Sequence, residues 1–346
     1  MENRTVVAVD LAKTVFEIAA SDIPGQVSRV ERLSRSKFLA FFEPMPPSVV
    51  VMEACGSATY WGRRIQALGH HVALLPPHQV RPYVTRNKTD RTDAKGILEA
   101  HRNKDIHPVP IKTVEQQVIG SLHRFRSGWI SARTAQVNTL RGLLREFGVT
   151  IPVGISKVLP AVRLLIEDAD SAIPDPLRPV VALACDEIET LTQKVKHSER
   201  ELEALAKTIP EVARILSIPG VGMIVATAFF AFVGDVTRFP SGRHLASYLG
   251  LTPRERSSGG RRRLGAISKR GDAYLRMLLV HGARSLLFHA AQAKSHDPLR
   301  AWAMKLRGRT KYNKAVVAVA NKLVRILWAV LAHNRPYEST PVAVAA

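Results

Sequence analysis

The chain has 346 residues, 46% of them hydrophobic, so it is long enough for two or three domains with sizeable cores and is not a disordered polypeptide. Lys and Arg number 50 against 29 Asp and Glu, and the net charge of +21 favours a polyanionic partner, nucleic acid ahead of an anionic membrane surface or the ribosome. Its two cysteines, far apart at Cys55 and Cys185, exclude a zinc-finger spacing and a disulfide framework, which fits a reducing cytoplasm.

The first hundred residues alternate between strand and helix patterns. Short apolar runs bounded by turn residues predict five strands, at residues 5–9, 14–20, 26–33, 48–52 and 71–75, with the first two forming a hairpin. Helical patterns lie at residues 34–42, with Ser34 as a candidate cap, and at residues 59–68. This order predicts an α/β domain with a mixed sheet.

After Asp90 the pattern becomes helical. Apolar residues from Ile119 to Leu144 keep one helical face, and prolines interrupt the pattern between residues 151 and 179. From Ile188 to Ile209 apolar residues recur at alternating spacings of three and four, with Ser198 as one polar position, which predicts a short coiled-coil seam. The seam is equally consistent with packing on the chain's own helices and with self-association. Further helices are predicted at residues 274–288 and 314–331.

Two features bear on where the protein acts and what it binds. The N-terminus has no signal peptide, and no apolar run approaches the roughly 20 residues needed to cross a bilayer, so we expect a cytoplasmic protein without a membrane partner. From Leu251 to the C-terminus, 19 Lys and Arg face only 4 Asp and Glu. Contacts with phosphates are therefore expected to concentrate in the last part of the chain.

Four carboxylates stand where they could meet. Asp10 and Glu53 each follow an apolar strand, and if those strands are parallel neighbours, their ends lie at one edge of the sheet. Asp90 and Asp93, three residues apart at the start of a predicted helix, share one helical face. Taken singly, each is better explained as a turn or helix-cap residue. Together in a basic chain they predict a Mg²⁺ site, because converging carboxylates repel unless a divalent cation neutralises them.

A serine-rich segment, Ser257 and Ser258 followed by two glycines, runs into three arginines. A serine hydroxyl attacks a phosphate only once a base or metal activates it, and on the residues alone a flexible loop that holds phosphates is the better explanation. Arg86 and Lys88, just before the Asp90–Asp93 pair, would steer a phosphate toward it. The other cations predicted to bind nucleic acid lie around the serine segment: Arg254, Arg261, Arg262, Arg263, Lys269 and Arg270.

The turn at residues 218–222 is similar to a helix-hairpin-helix, a motif that grips a phosphate without reading sequence. Backbone N–H groups around Gly220 and Gly222 would make that contact, although a plain turn between helices explains the motif equally well. The twelve histidines show no metal-ligand spacing, and we interpret them as structural or solvent-facing.

Taken in order, these segments resemble the DEDD transposases of insertion sequences, family IS110, also called bridge-RNA-guided recombinases. The resemblance covers nearly the whole chain and is specific as a combination, whereas residues 111–210 match in helical character more than in motif. The matching segments are VDLAK (9–13), MEACG (52–56), RNKTDRTDA (86–94), IPGVG (218–222), LGLTPR (249–254), SG (258–259) and ISKRG (267–271).

The resemblance implies an N-terminal RuvC-like domain of the RNase H fold, in which Asp10, Glu53, Asp90 and Asp93 bind Mg²⁺. It implies a coiled-coil region used for assembly and an all-α transposase domain whose nucleophilic serine corresponds best to Ser258, with Ser257 adjacent. In the family, the serine of one subunit meets the carboxylates of another in a tetramer. The implied partners are double-stranded donor and target DNA, a non-coding bridge RNA that pairs with both, and further copies in a homodimer or homotetramer.

We therefore expect a RuvC-like catalytic domain over residues 1–145, a helical coiled-coil linker over 146–210, a transposase domain over 211–335 and a disordered tail over 336–346. The expected function is Mg²⁺-dependent cutting and rejoining of DNA through a phosphoserine. One rival is a RuvC-like nuclease in which water attacks and Ser258 is incidental. The other is a non-enzymatic binding protein with a degenerate nuclease fold.

Overall fold

A computed structural model describes residues 5–23, 26–84, 90–292 and 297–339, and for Asp90 and Arg91 it describes the backbone alone. The chain divides into two compact units, Met1–Thr113 and Val114–Ala346. Each unit has its own hydrophobic core or cores, and each is described by itself below.

The first unit is built on a five-stranded mixed sheet. Its strands are β1 (Val6–Leu11), β2 (Val15–Ser21), β3 (Arg29–Ser34), β4 (Val49–Glu53) and β5 (His71–Leu75). They lie in the order β3-β2-β1-β4-β5, with β1, β2 and β3 antiparallel and with β4 parallel to both β1 and β5. The predicted mixed sheet is therefore confirmed.

Helices cover both faces of this sheet. In the described residues they are α1 (Phe38–Phe42), α2 (Ala58–Gln66), α3 (Pro77–Val80) and α4 (Asp90–Arg102). α1 and α2 bury Phe38 and Trp61 on one face, and α3 and α4 bury Val80 and Ile97 on the other. The rings of Phe38 and Trp61 meet each other and Phe16 of β2 edge to face, and such contacts stabilise the core beyond the area that the rings bury.

Two local predictions in this unit are wrong. Ser34 ends β3 instead of capping a helix, because α1 begins only at Phe38. Asp10 and Glu53 do not lie past the ends of their strands. Asp10 pairs with Glu17 inside β1, and Glu53 is the last residue of β4, because main-chain pairing continues beyond the apolar runs.

The second unit is helical apart from one hairpin, in the part of it that the structure describes. Its helices are α5 (Val114–Glu146), α6 (Ile155–Glu167), α7 (Arg178–Thr208), α8 (Pro210–Ile215), α9 (Met223–Val233), α10 (Gly242–Tyr248), α11 (Ala273–Gln292), α12 (Pro298–Arg309) and α13 (Tyr312–Ala332). The hairpin consists of β6 (Pro253–Glu255) and β7 (Leu264–Ile267).

α5 and α7 lie side by side and run antiparallel. Arg126 of α5 pairs with Glu199 of α7, with Nη2 and Oε1 2.7 Å apart, whereas Arg133, further along α5, donates to Thr192, further back along α7. The predicted apolar seam of α7 is buried against the chain's own α5, and Ser198 satisfies its buried hydroxyl by donating to the Val195 carbonyl. A coiled coil used for assembly stays a prediction.

The contact units do not coincide with the predicted domain edges. All of α5 except Glu146 lies within the predicted first domain of residues 1–145, yet α5 packs in the second unit because its buried face meets α7 and α9. One end of the α5–α7 pair is covered by α6, and the other enters the core formed by α8 to α13. The boundaries at residues 145 and 210 remain predictions about functional modules.

α13 lies in the core formed by α8 to α13 and packs against α8, α10, α11 and α12. By length and composition it could cross a membrane, but eight of its residues between Ala315 and Val330 are buried in this core. Lys322 and Arg325 also interrupt its apolar run. A long helix buried in a protein core can have the same length and composition as a membrane span, so α13 does not decide where the protein acts.

The packed part of the chain extends past the predicted start of the tail at Pro336. Tyr337 is half-buried, its hydroxyl donates to Asp297 Oδ2 at 3.0 Å, and its backbone N–H donates to Ser217 Oγ at 3.4 Å. Burial of the Tyr337 ring holds this stretch against the helices. Residues 340–346 of the predicted tail lie outside the described residues.

Candidate active site

Strand pairing brings Asp10 and Glu53 to the same end of the sheet. β1 and β4 are parallel with Val9 opposite Met52, so the next residue on each strand is one of the two carboxylates. Val9 and Met52 face the core under α1 and α2. Because side chains alternate along a strand, Asp10 and Glu53 belong to the opposite face, the one that α4 covers.

Helix α4 brings a third carboxylate to that face. It packs across β1, β2 and β4 through Ile97 and Leu98, which are buried. Asp93, one turn earlier in the helix, is half-buried, and its Oδ1 is buried and receives no hydrogen bond from a described residue. A buried carboxylate oxygen without a donor is costly, so this atom is suited to ligate a cation.

The chemistry of this donor set fits Mg²⁺, which prefers carboxylate oxygens. Within the described residues, however, no three His, Cys, Asp or Glu side chains are close enough together to hold a metal ion. Asp10 and Glu53 are each engaged in an interaction, and the side chain of Asp90 lies outside the described residues, as do Arg86 and Lys88. The Mg²⁺ site therefore stays a prediction.

The serine segment forms the tip of the β6–β7 hairpin. The Arg261 N–H donates to the Ser258 carbonyl at 3.1 Å, which closes a turn whose two central residues are glycines. Gly259 and Gly260 have φ values of 57° and 74°. A two-residue hairpin turn of this kind needs positive φ at both positions, so the Gly-Gly pair is the sequence signal that predicts a hairpin here.

The two adjacent serines differ in their hydrogen bonds. Ser257 Oγ donates to Glu255 Oε1 at 2.6 Å and accepts from the Arg263 N–H at 3.2 Å, so it ties the two strands of the hairpin together. The Ser258 hydroxyl makes no hydrogen bond to any described residue and is exposed at the turn. Glu255 carries no signal of this role in the sequence, since only the fold places it against Ser257.

Cations surround this tip. Arg254 donates to the Ser268 carbonyl at 3.2 Å, and Arg262 lies 3.7 Å from Glu255. Arg276, half-buried, is a support of the hairpin base, because it donates to the carbonyls of Leu249 and Arg270. The remaining predicted phosphate-binding side chains are exposed and form no ion pair with a described residue: Arg261, Arg263, Lys269 and Arg270.

The predicted phosphate-binding turn precedes α9. Gly220 has a φ of +84°, and a Cβ built there would lie 2.8 Å from the Gly282 carbonyl oxygen, so the turn packs directly on α11. Gly222 occupies the N-cap position of α9, and a Cβ there would meet nothing within 4 Å. The turn borders a cavity of about 610 Å³ that Arg126 and Arg300 also line. Phosphate binding at Gly220 and Gly222 stays a prediction.

Comparisons with known proteins place this arrangement in a family. A transposase model of the IS110 DEDD type matches residues 7–149, and a model described as the transposase IS116/IS110/IS902 family matches residues 212–298. A probable family 20 transposase of Pseudomonas aeruginosa is 40% identical over 336 residues, which are 97% of this chain and 99% of the relative. The chain belongs to the IS110 family of DEDD transposases.

Two further relatives match this transposase over most of its length. The transposase for insertion sequence element IS1111A of Coxiella burnetii is 36% identical, over 97% of this chain and 92% of its own. The transposase for insertion sequence element IS1328 of Yersinia enterocolitica is 34% identical, over 95% and 97%. The family relation therefore extends across both units of the transposase.

Proposed function

We propose that this transposase excises and inserts an insertion sequence by cutting and rejoining double-stranded DNA through a phosphoserine on Ser258. The observation that carries the proposal is the difference between the two serines at the hairpin tip. Ser257 is committed to Glu255 and to the Arg263 N–H, whereas the Ser258 hydroxyl is exposed among arginines and makes no hydrogen bond to a described residue.

The proposed step forms one bond and breaks one. The Ser258 oxygen bonds to the scissile phosphorus, the P–O bond to one DNA end breaks, and that end leaves as a hydroxyl that takes up the proton lost by the serine. The phosphoserine keeps the energy of the broken phosphodiester, so a hydroxyl of another DNA end can reverse the step and rejoin. Arg261, Arg262 and Arg263 are suited to offset charge on the non-bridging oxygens, because guanidinium groups pair with phosphates in two-point contacts.

In the first unit we propose a RuvC-like domain of the RNase H fold in which Asp10, Glu53, Asp90 and Asp93 would hold Mg²⁺. Three observations support it: the mixed sheet, the common end of β1 and β4, and the buried Oδ1 of Asp93, which has no hydrogen-bond partner among the described residues. When bound, Mg²⁺ would neutralise negative charge on the scissile phosphate and the leaving oxygen.

The proposed partners follow from the charge and the family. We propose that the transposase acts in the cytoplasm on double-stranded donor and target DNA. Its further proposed partners are a bridge RNA and other copies of the chain in a homodimer or homotetramer. The excess of cations supports polyanionic partners. Residues proposed to contact nucleic acid are Arg86, Lys88, Gly220, Gly222, Arg254, Arg261, Arg262, Arg263, Lys269 and Arg270.

The decisive experiment traps the covalent intermediate. The purified transposase is incubated with Mg²⁺ and labelled DNA carrying the element ends, denatured, and run on a denaturing gel. We expect a protein–DNA adduct that Ser258→Ala abolishes, while Ser257→Ala, its matched neighbour, retains part of it. Strand exchange that persists in Ser258→Ala would show that the serine mechanism is wrong and would favour the nuclease in which water attacks.

The carboxylates are tested in the same assay. Asp10→Ala and removal of Mg²⁺ with a chelator are each expected to abolish cleavage while leaving DNA binding intact. Full activity of Asp10→Ala would show that the carboxylate cluster is structural, and no cleavage by the unaltered protein would favour a non-enzymatic binding protein. Sequencing the RNA that copurifies with the transposase tests the guide: one discrete RNA with two internal loops supports it, and bulk cellular RNA opposes it.

A further inference from the structure

A second cationic surface lies in the second unit, apart from the serine hairpin and the Gly220 turn. It is a groove of about 660 Å³ between α10, α13 and the segment that follows α13. Its cations are Arg243 from α10, Lys322 and Arg325 from α13, and Arg335 from the following segment. We call these residues and the space between them the α10–α13 groove.

The positive charge of the α10–α13 groove is only partly offset by the described residues. Arg243, Arg325 and Arg335 are exposed, and none forms an ion pair with a described residue. Lys322 lies over the Trp302 ring, 5.7 Å from its centroid. The acidic side chain that lines the groove is Glu338. Several like charges held together in a concave surface raise the local concentration of an anionic ligand.

The length of the groove favours a polyanion over a small anion. Lys322, Arg325 and His333 lie on one face of α13 and its end, and all three line the groove. Eleven residues rise about 16 Å along a helix, so this row is long enough to face more than one successive phosphate of a strand. A single phosphate ion would leave most of these cations without a partner.

The floor of the groove is unsuited to reading bases. It is formed by apolar side chains such as Ile326 and Val330, and the indole N–H of Trp328 is committed to the carbonyls of Val236 and Phe239. Contact at the rim with phosphates and at the floor with sugars is therefore the form of binding that the groove supports. Such contacts position a nucleic acid without specifying its sequence.

We propose that the α10–α13 groove binds the phosphodiester backbone of a nucleic acid that the transposase holds, as a site separate from the serine hairpin. The proposal rests on the proposed function, since it takes nucleic acid to be the substrate or guide. α13 also supports the hairpin base, because its Asn321 donates to the Leu251 carbonyl at 3.2 Å. A backbone bound in the groove is thus anchored to the elements from which the Ser258 hairpin extends.

The test compares two triple variants of equal charge. The groove variant carries Arg243→Ala, Arg325→Ala and Arg335→Ala. The control carries Arg309→Ala, Lys311→Ala and Lys314→Ala, exposed cations at the junction of α12 and α13 outside the groove lining. Binding of a labelled 30-base-pair DNA duplex and of a structured RNA is measured by fluorescence anisotropy over a range of salt, in EDTA so that no cleavage occurs.

The groove variant should lower the slope of log affinity against log salt by about 2 to 3, since each lost phosphate contact removes close to one unit. The control should lower it by less than one. Loss with DNA alone, with RNA alone or with both supports the proposal and identifies the source of the backbone. An unchanged groove variant, or an equal loss in the control, would overturn it.

A gain-of-binding variant guards against loss through misfolding. Glu338→Gln removes the acidic side chain of the groove and should tighten binding to the nucleic acid that the groove variant loses. Unchanged or weaker binding by Glu338→Gln, with unchanged circular dichroism, counts against the groove. Because these assays need no catalysis, failure of the serine mechanism and failure of the groove are scored separately.

Discussion

His123 is fully buried in the second unit, and its two ring nitrogens are both satisfied. Thr227 already donates its hydroxyl to the Met223 carbonyl, so it accepts from His123 Nε2–H at 3.0 Å. His123 Nδ1 then accepts from the Tyr274 hydroxyl at 3.0 Å. This arrangement requires the neutral imidazole. Burial, with the charge of Arg126 adding to it, lowers the pKa of His123 to about 4.

Stability should therefore fall in mild acid. The unfolded chain takes up a proton on His123 below its ordinary pKa of 6.5, whereas the folded chain takes it up only near 4. The free energy of unfolding is therefore constant above about pH 6.5. It falls by about 3 kcal/mol in total as the pH drops through 6.5 to below 4. Chemical unfolding between pH 7 and pH 4 measures this loss. His123→Gln, which cannot titrate, should show a shallower fall, and an identical slope would contradict the assignment.

Two nearby glycines provide a matched pair at the phosphate-binding turn. Gly220→Ala should lower the free energy of unfolding by roughly 1–3 kcal/mol, because φ is positive there and the new Cβ meets the Gly282 carbonyl oxygen. Gly222→Ala should change it by less than about 0.5 kcal/mol, since its Cβ meets nothing. Urea unfolding compares the two. Equal effects would mean that Gly220 is not packed on α11 in this way.

At the scale of elements, the α5–α7 pair settles where the predicted seam packs. Leu202 is fully buried, whereas Leu183 on the same helix is 68% exposed. Leu202→Ala should lower the free energy of unfolding by about 2–5 kcal/mol, and Leu183→Ala should have an effect below about 0.5 kcal/mol. Thermal and urea unfolding of the purified variants measure both.

Protein concentration separates packing within the chain from self-association. If α7 packs on its own α5, the loss caused by Leu202→Ala is the same at all protein concentrations. A loss that grows on dilution would show that the seam holds copies together, because only association depends on concentration.

The β6–β7 hairpin shows how one element gives adjacent residues different roles. Ser257 and Ser258 are identical in type, and their position in the sequence alone does not decide which of them reacts. The Gly-Gly turn places Ser257 beside Glu255 and leaves Ser258 at the turn, so the hydrogen bonds differ although the residues do not. A carboxylate beside a serine hydroxyl can activate it as a nucleophile, so adduct formation by Ser257→Ala and Ser258→Ala is the measurement that separates the two serines.

At the scale of the whole molecule, the proposed chemistry draws on both units. If the serine of one subunit works with the carboxylates of another, Asp10→Ala and Ser258→Ala should each be inactive alone and partly active when coexpressed. Strand exchange on labelled DNA measures the recovery. The double variant coexpressed with either single variant is the control, and it should stay inactive. No recovery in the mixed sample would place both halves of the site on one subunit.

Much of the first unit was predictable because local pattern decides local structure. Five apolar runs became five strands, and the segment after Asp90 became α4, since short-range periodicity and turn residues act within a few positions of each other. Ser34 was misassigned because main-chain pairing with β2 extends β3 beyond its apolar residues. The hairpin at Ser258 was missed although its Gly-Gly turn was visible in the sequence.

The sequence by itself determined the strands and most helices, the excess of cations, the order of the family motifs and the residues proposed to react. Only the tertiary structure decided three features: Asp10 and Glu53 lie on neighbouring parallel strands, the α7 seam packs on α5, and four cations line one groove. These features join residues far apart in the chain. Their arrangement depends on which faces pack together, and no local pattern contains that information.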